Sequence, residues 1–348
     1  RRMKISIYGD RFMKSDIFEE VISKKLNGYD LQFIKKDIEW PDGPFHNDYG
    51  TEEFSKIKEY FGSEEDVINT VQNNEILITD LAPITESILS KIPNLKFIGV
   101  SRGGPVNIDI EACKKNNITV VNAPGRNASA VAEFTIASIL SETRLVTKGH
   151  QSMVNGEWRG DLYRFDITGK ELSELTIGLV GYSHIGKKVR DLLIPFGCKI
   201  IFSDPYVEED EIDKKNDINK VSKDELISSS DVISIHARVT KETEKFFADL
   251  EFKNMKKGSY FINTARGPLV DYDALLKYLK SGHLGGAALD TFEIEPLPKN
   301  HALRSQDNVT LTPHIAGASI KTVYYAAEVI AEDLKNYLEN KGLTNKIC

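Results

Sequence analysis

Short apolar runs alternate with amphipathic stretches along the chain, which is the pattern of parallel β-strands connected by helices. In the first third, the apolar runs that predict strands are Ile5–Tyr8, Glu75–Asp80, Lys96–Val100 and Ile118–Asn122. Helices are predicted between them at Glu86–Ile92 and Asp109–Lys115. The segment Glu39–Thr51 is rich in Pro, Gly, Asp and Asn and predicts a loop.

A long amphipathic stretch from about Ala128 to Val146 predicts a helix, with Asn127 and Ser129 as candidate N-caps. Both a core helix and a crossover helix between two domains fit its length. The poorly periodic segment Glu157–Glu171 predicts a loop. Six further strands are then predicted, at Thr176–Gly181, Lys199–Asp204, Val232–Ala237, Ser259–Ala265, Leu284–Asp290 and Val309–Pro313. An amphipathic run at about Ser319–Leu338 predicts a final helix.

Composition narrows the class of protein. A chain of 348 residues is too long for one ordinary core, so two domains are expected. The net charge of −7 argues against a nucleic-acid or membrane-surface partner, and no window has the ~20 apolar residues of a membrane span. Three scattered cysteines, Cys113, Cys198 and Cys348, predict no disulfide framework or zinc site. With no apolar signal region at the N-terminus, we expect a cytoplasmic protein.

A glycine-spaced turn follows the predicted strand at Thr176. The turn is Gly181-Tyr-Ser-His-Ile-Gly186, a helical run begins at Lys187, and Asp204 ends the next strand 23 residues after Gly181. Glycine permits the tight turn, the helix N-terminus faces a pyrophosphate, and the acidic residue accepts hydrogen bonds from ribose hydroxyls. Asp204 would repel a 2′-phosphate, so NAD is predicted rather than NADP. The turn departs from the G-x-G-x-x-G fingerprint at Ser183, and it also includes His184 and Ile185.

Three phrases in the last third carry candidate chemistry: Asn263–Gly267, Asp290–Pro296 and Thr312–Gly317. Each closes a predicted strand and presents a polar side chain, Arg266, Glu295 or His314. A guanidinium binds a carboxylate through two parallel hydrogen bonds, and a carboxylate beside an imidazole favours the protonated ring. Together they predict a site that binds a 2-oxo acid and protonates its carbonyl. Nothing in this set of residues requires a metal.

From about Glu75 to Val329, these motifs resemble the D-isomer-specific 2-hydroxyacid dehydrogenases, a family that includes phosphoglycerate dehydrogenase. The resemblance implies an α/β protein with two domains. Residues 1–124 and 318–348 would form a discontinuous, flavodoxin-like substrate-binding domain. Residues 125–317 would form a doubly wound Rossmann dinucleotide-binding domain. Substrate would bind in the cleft, and closure would exclude water before hydride transfer.

The resemblance also implies roles for individual residues. Arg266 would hold the substrate carboxylate and carbonyl, His314 would act as general acid/base with Glu295 as its partner, and Asp290 would lie near the nicotinamide carboxamide. The family's segment beside the adenosine matches His236–Thr243, where Arg238 replaces a proline; Thr240 or Thr243 fits equally well as a cap of the next helix. The further cofactor contacts expected from the resemblance are His236, Ala237, Thr264, Ala265 and Gly317.

The loop Gly99–Asp109 resembles the family loop whose backbone amides bind the substrate carboxylate. Its candidate substrate contacts are Ser101, Arg102, Gly103 and Gly104. Against the family pattern, an arginine has moved two positions along the loop to Arg102, where it points either towards the pocket or to solvent. Other cations are candidate anchors for a distal phosphate or carboxylate, or solvated surface charges: Arg126, Arg159 and Arg164. Trp158 is expected to pack at a domain or subunit contact.

The leading hypothesis is an NAD-dependent dehydrogenase that acts on a small carboxylate substrate. A second hypothesis is an NAD(H)-sensing binding protein, since the family includes transcriptional corepressors on the same fold. A third is a relative that acts on formate or phosphite. The resemblance implies a homodimer, with the long helix after Asn127 as the candidate surface. Because the chain ends soon after its last helix, it is expected to lack the regulatory domain appended to many phosphoglycerate dehydrogenases.

Overall fold

A computed structural model describes residues 2–41 and 52–348 of the chain. Most of the predicted loop Glu39–Thr51 therefore lies outside the described residues. The chain forms two compact units, one of Arg1–Arg126 with Ser319–Cys348 and the other of Asn127–Ala318. Among the described helices, none combines the length and the hydrophobicity needed to span a bilayer.

The first unit is built on a five-stranded parallel sheet with the order β2-β1-β3-β4-β5, the flavodoxin-like order. Its strands are β1 (Met3–Gly9), β2 (Leu31–Asp37), β3 (Ile76–Thr79), β4 (Phe97–Val100) and β5 (Thr119–Val121). Its helices are α1 (Ser15–Lys25), α2 (Glu64–Val71), α3 (Glu86–Ser90), α4 (Ile110–Lys115) and α12 (Ile320–Leu338). Helix α12 packs its alanine-rich face, with Ala326 and Ile330, against Ile5, Ile7 and Phe18.

The second unit carries a seven-stranded parallel sheet with the order β12-β11-β10-β9-β6-β7-β8, which is the doubly wound arrangement. Its strands are β6 (Thr176–Val180), β7 (Lys199–Ser203), β8 (Asn219–Lys220), β9 (Val232–Ile235), β10 (Tyr260–Asn263), β11 (Gly286–Leu289) and β12 (Val309–Leu311). Its helices are α5 (Ala128–Thr143), α6 (Val146–Val154), α7 (His184–Leu193), α8 (Glu211–Lys215), α9 (Lys223–Ser229), α10 (Asp249–Asn254) and α11 (Tyr272–Lys280). The predicted α/β class is confirmed.

Two strands were missed by the sequence prediction, and both lie at an edge of their sheet. Strand β2 is only half-buried, and its Lys35 pairs with Asp16 and Glu19, so it lacks a long apolar run. Strand β8 has only two residues. Edge strands bury one side at most, and their polar residues hide the period-2 signal.

The predicted helix from Ala128 to Val146 is in fact two helices. Helix α5 ends at Thr143, and Leu145 adopts a left-handed conformation with φ 59° before α6 begins. Of the two predicted caps, Asn127 does occupy the N-cap position, although without a side-chain hydrogen bond to the helix, and Ser129 lies inside the helix. The Asn127 amide instead lies against Gly317, where a Cβ would come within 2.8 Å of Nδ2.

Candidate functional site

Strands β6 and β9 are neighbours at the point where the strand order of the second sheet reverses. Ligands of doubly wound sheets bind at the carboxyl ends of the strands beside such a point. Gly181 follows β6 with φ 88°, and a Cβ there would lie 2.6–2.8 Å from backbone atoms of His236 and Ala237. A Cβ on Gly186 would lie 2.4 Å from the Gly181 carbonyl oxygen. Both glycines are therefore required by close backbone approach.

The turn leads directly into α7. Ser183 is the exposed N-cap of that helix, its hydroxyl does not cap the helix, and His184 is the first helical residue. The first amides of a helix, here those of His184 and Ile185, have no partner within the helix. Beside the turn, His236 lies at the end of β9 and bonds Ser234 through Nε2 at 2.9 Å. Burial lowers the pKa of His236 to about 4, so the ring is neutral at physiological pH.

Asp204 follows β7 and is held by two backbone donors. Tyr182 N–H donates to Oδ2 at 2.7 Å, and Tyr206 N–H donates to Oδ1 at 2.8 Å. The carboxylate thus lies beside the glycine turn, where a ribose would follow a pyrophosphate. The turn, the first amides of α7 and this carboxylate fit a dinucleotide, with Ser183 in the place of the second glycine.

Arg266 lies in the turn after β10, and Asn263 shapes that turn. Asn263 is fully buried, donates to the Arg266 carbonyl and to the Tyr272 hydroxyl at 3.0 Å each, and accepts from Ala265 N–H at 3.0 Å. The exposed Arg266 guanidinium donates to the Ala265 carbonyl at 2.8 Å. Within residues 2–41 and 52–348, it forms no ion pair with a carboxylate. This guanidinium can therefore accept an anionic ligand.

The turn after β10 is packed tightly against the loop that carries Glu295. A Cβ on Gly267 would lie 2.0 Å from the Phe292 carbonyl oxygen, so only glycine permits this approach. Tyr272 fastens the same loop, because its hydroxyl donates to the Thr291 carbonyl and its N–H donates to Glu293 Oε1 at 2.7 Å. Neither Asn263 nor Tyr272 was predicted from the sequence as a site residue. Asn263 could have been found from its place in the Asn263–Gly267 phrase, whereas nothing in the sequence marks Tyr272.

Asp290 holds the segment that presents His314. The buried carboxylate accepts hydrogen bonds from Thr312 Oγ1 at 2.8 Å, Ile315 N–H at 2.8 Å and Ala316 N–H at 2.9 Å. His314 itself has φ 55°, a left-handed conformation that is uncommon for a residue with a side chain. Asp290 thus stabilises the unusual turn that presents the imidazole, a contact that the sequence did not predict.

His314 and Glu295 form a direct pair, with 2.7 Å between His314 Nδ1 and Glu295 Oε1. The hydrogen bond to Glu295 raises the pKa of His314, opposed by partial burial and by the positive charge of Arg266, and supported by Asp290. The imidazole side chain is 43% exposed. The pair therefore presents to solvent an imidazole with a raised pKa, close enough to Arg266 to feel its positive charge.

Two further residues predicted as cofactor contacts lie near this trio. Thr264 is buried after β10, and its hydroxyl bonds the Thr135 hydroxyl of α5 at 2.8 Å. Ala265 is half-buried beside it. Among the described residues, no group of three or more His, Cys, Asp and Glu side chains is arranged to hold a metal ion.

The first unit contains the loop Ser101–Gly104, directly after β4. Its carbonyls are engaged, since Ala123 N–H donates to Arg102 O at 2.9 Å and Asn122 Nδ2 donates to Gly103 O at 2.7 Å. The amides of Arg102, Gly103 and Gly104 have no hydrogen-bond acceptor within the described residues. Arg102 neither projects freely nor points to solvent: its guanidinium bonds the Glu59 carbonyl at 2.7 Å and pairs with the Glu59 carboxylate at 2.6 Å.

The other cations considered as anchors are engaged by neighbouring acids. Arg126 pairs with the buried Asp80 at 2.7 Å and donates to the Ser101 carbonyl at 2.8 Å. Arg159 and Arg164 pair with the acids two residues after each, Asp161 and Asp166.

Two further residues named from the sequence can be located. Trp158 is 84% exposed, so within this unit its side chain is largely open to solvent, and its expected role at a subunit contact stays a prediction. Thr240 and Thr243 bond each other in a turn and do not cap the next helix, which begins at Asp249.

Comparison with known proteins shows the family. The model of the D-isomer specific 2-hydroxyacid dehydrogenase NAD binding domain matches residues 136–316. A glyoxylate reductase from Thermofilum pendens is 38% identical over 300 residues, covering 83% of this chain and 86% of the relative. D-3-phosphoglycerate dehydrogenase from Bacillus subtilis is 33% identical over 292 residues, covering 80% of this chain and 54% of that protein. The structure of a D-2-hydroxyisocaproate dehydrogenase superposes with a TM-score of 0.82 at 27% identity, covering 99% of each chain.

The matched family model is that of an NAD-binding domain, and it covers the glycine turn, Asp204, Arg266, Glu295 and His314. The relatives are named as dehydrogenases and reductases. NAD is accordingly the cofactor. The chain belongs to the D-isomer-specific 2-hydroxyacid dehydrogenase family of NAD-dependent oxidoreductases.

Proposed function

We propose that the protein transfers a hydride between NAD(H) and a small D-2-hydroxy acid or the corresponding 2-oxo acid. The observation that carries this proposal is the 2.7 Å pair of His314 and Glu295 beside a guanidinium without a carboxylate partner among the described residues. Such a set combines a proton donor with a carboxylate binder, which are the two groups that reduction of a 2-oxo acid requires.

In the reductive direction, bound NADH supplies the hydride to the carbonyl carbon. His314 donates its proton to the developing alkoxide, and Glu295 keeps the imidazole protonated and oriented. Arg266 binds the substrate carboxylate and polarises the carbonyl. In the oxidative direction the same imidazole, now neutral, accepts the hydroxyl proton.

Cofactor binding in this proposal uses the residues around the glycine turn. Gly181, Ser183 and the first amides of α7 take the pyrophosphate, Asp204 takes the ribose hydroxyls, and His236 with Ala237 lies beside the adenosine. Asp290, Thr264, Ala265 and Gly317 are proposed near the nicotinamide. Replacing Asp204 with Ala should narrow the preference for NAD over NADP, and a native protein that already prefers NADPH would contradict this role.

The loop Ser101–Gly104 is proposed to bind the substrate through its backbone. Its three amides without acceptors support this, because adjacent backbone N–H groups form a concave site for an anion. The Arg102 guanidinium is bonded to Glu59, so in this proposal its backbone amide makes the contact. Pro105 contributes no donor at the end of the loop.

The choice of substrate can be tested directly. Relatives named glyoxylate reductase and D-3-phosphoglycerate dehydrogenase suggest small 2-oxo acids, with or without a phosphate. We would measure NADH oxidation with glyoxylate, hydroxypyruvate, pyruvate, 2-oxoglutarate and 3-phosphohydroxypyruvate. Turnover of at least one supports the proposal. Tight NADH binding without turnover of any would favour an NAD(H)-sensing role instead.

A homodimer is proposed through an apolar surface of the second unit. Several large side chains there are open to solvent, including Trp158 at 84% and Phe165 at 100%: the others are Val146, Met153, Val154 and Tyr163. These side chains lie close in sequence, on α6 and in the segment after it, and monomeric proteins rarely expose a large contiguous apolar patch. Light scattering should give twice the chain mass, and Trp158→Ser with Phe165→Ser should give the monomer mass.

The three cysteines of the chain are free, so we propose a cytoplasmic location.

A further inference from the structure

Tyr182 occupies the position between Gly181 and Ser183 in the cofactor turn, and it is completely buried. Its backbone N–H donates to Asp204 Oδ2 at 2.7 Å. Its ring stacks on Phe202 of β7, with 3.7 Å between centroids and 7° between planes. Its hydroxyl donates to Asp213 Oδ1. The residue is therefore held at its backbone, its ring and its hydroxyl.

The hydroxyl of Tyr182 belongs to a buried ionic network behind the turn. Arg190 of α7 is 2% exposed, and its Nη1 lies 3.2 Å from the Tyr182 hydroxyl, 2.9 Å from Asp213 Oδ1 and 2.9 Å from Asp210 Oδ2. Asp210 and Asp213 also cap α8 through reciprocal backbone bonds at 3.0 and 2.9 Å. The network therefore joins α7, α8 and the turn through charged groups, of which Arg190 and Asp213 are buried and Asp210 is 32% exposed.

A buried guanidinium with two carboxylates is weak evidence for stability, because desolvation offsets much of the attraction. Such a network does impose one geometry, since every partner must be in place for the charges to be satisfied. The geometry that it imposes here is that of residue 182. Peptide planarity then limits where the next residue, Ser183, can lie.

Position 183 is where the turn departs from the dinucleotide fingerprint. The second glycine of that fingerprint allows backbone to approach the pyrophosphate, and a serine adds a Cβ and a hydroxyl there. Ser183 is exposed, and its hydroxyl does not cap α7. The room available for these two atoms beside a bound pyrophosphate therefore depends on where the turn lies.

We infer that Tyr182 and Arg190 are positioning residues for the cofactor turn, and that they hold Ser183 where a pyrophosphate can be bound. Neither residue is placed in contact with the cofactor. The inference rests on NAD binding by this family and not on the proposed substrate, so it can be tested on a protein that turns over nothing.

The experiment is a titration of the full-length chain with NADH, followed by nicotinamide fluorescence. Tyr182→Phe removes one hydroxyl and keeps the ring, and we expect the NADH dissociation constant to rise about 3- to 10-fold. In a Ser183→Gly background the same change should alter it less than about twofold, because glycine tolerates a displaced turn. This coupling between positions 182 and 183 would not arise from general destabilisation.

Tyr8→Phe is the matched control. Tyr8 is also fully buried and donates to the Phe61 carbonyl at 2.9 Å in the first unit. Its loss should lower the melting temperature and leave the NADH dissociation constant unchanged. Asp210→Asn is a second variant in case Tyr182→Phe does not fold, because asparagine keeps the helix cap and removes only one charge. It should raise the dissociation constant where Ser183 is retained and not in the Ser183→Gly background.

Two results would overturn the inference. One is an unchanged NADH dissociation constant in folded Tyr182→Phe and Asp210→Asn, which would leave the network with a structural role only. The other is an equal rise with Ser183 retained and with Ser183→Gly, which would separate the network from position 183.

Discussion

Each sheet of the protein ends in a cluster of charged groups, and the two clusters differ in access to solvent. After β1 and β3 of the first unit, Asp10 and Asp80 are buried, and Asp80 accepts from Arg126 at 2.7 Å and from Ser101 Oγ at 2.9 Å. At the carboxyl edge of the second sheet, Glu295 and His314 are 32% and 43% exposed. Charged side chains are thus buried in the cluster of the first unit (the closed cluster) and exposed in the cluster of the second (the open cluster).

Exposure to solvent determines which of the two clusters can do chemistry. In the first unit Asp80 is bonded to Arg126 and to Ser101, so its effect is to fix the loop that begins at Ser101. In the second unit, the Arg266 guanidinium bonds, among the described residues, only a backbone carbonyl of its own turn, and the His314 imidazole is 43% exposed. Exposure to solvent and available hydrogen-bond donors distinguish a candidate site from a structural network, even where both contain the same types of residue.

The largest expected effect comes from removing the acid/base group of the open cluster. We predict that His314→Ala lowers kcat by roughly two to four orders of magnitude, because the imidazole is the group proposed to deliver the proton. The measurement is steady-state NADH oxidation with the 2-oxo acid found to be turned over. His283→Ala, which removes an imidazole bonded to the Met255 carbonyl in the same unit, should leave kcat within about twofold. Near-normal turnover of His314→Ala would contradict the assignment of His314 as the general acid/base.

Arg266→Lys tests whether the uncommitted guanidinium binds the substrate carboxylate. We predict a rise in KM of about 10- to 100-fold with a smaller change in kcat, because a lysine provides a point charge and not a two-pronged donor. Arg304→Lys is the control, since that exposed arginine bonds, in the part of the chain that the structure describes, only the Leu297 and Pro298 carbonyls. An unchanged KM in Arg266→Lys would place the substrate carboxylate elsewhere.

The features that could be predicted from the sequence differ in kind from those that could not. The fold class and the six longer strands of the second sheet were predictable, because buried parallel strands are apolar runs. The trio could be predicted together, because carboxyl ends of parallel strands meet at one edge. The supporting contacts could not: Tyr272 with Thr291, and Arg190 with Asp213, join residues far apart in sequence that leave no periodic signal.

Glu295→Gln tests the electrostatic part of the open cluster. The hydrogen bond to Glu295 raises the pKa of His314, so the protonated, reduction-competent ring persists to higher pH than an ordinary imidazole. We predict that the falling limb of kcat/KM for reduction moves to lower pH in the glutamine variant, with a loss of about tenfold above that limb. A pH profile measured on both proteins decides the point. A limb that does not move would mean that another group titrates.

The free energy of unfolding of a variant at Asp10 tests the closed cluster of the first unit. Burial, with a further contribution from Asp80, raises the pKa of Asp10 to about 7, although Met13 and Phe12 amides and Arg126 oppose the shift. The native state thus binds this proton more tightly than the unfolded chain, so stability from Asp10 is present below pH 4 and is lost as pH rises through about 7. An asparagine in its place cannot ionise. We predict that Asp10→Asn raises the free energy of unfolding by about 1–3 kcal/mol at pH 8 and by little at pH 4.

Urea unfolding of the native protein and the Asp10→Asn variant at both pH values measures this difference, and titrations common to the two proteins cancel. Asp333→Asn is the matched control: Asp333 is equally buried in the first unit, and its carboxylate accepts from Thr344 and Asn345 amides at 2.8 and 2.9 Å. Its loss should not stabilise the protein at pH 8. The contrary result would be that Asp10→Asn, compared with the native protein at each pH, gains no more stability at pH 8 than at pH 4. Asp10 would then be ionised and fully hydrogen-bonded in the native state, and the first cluster would be less closed than its burial indicates.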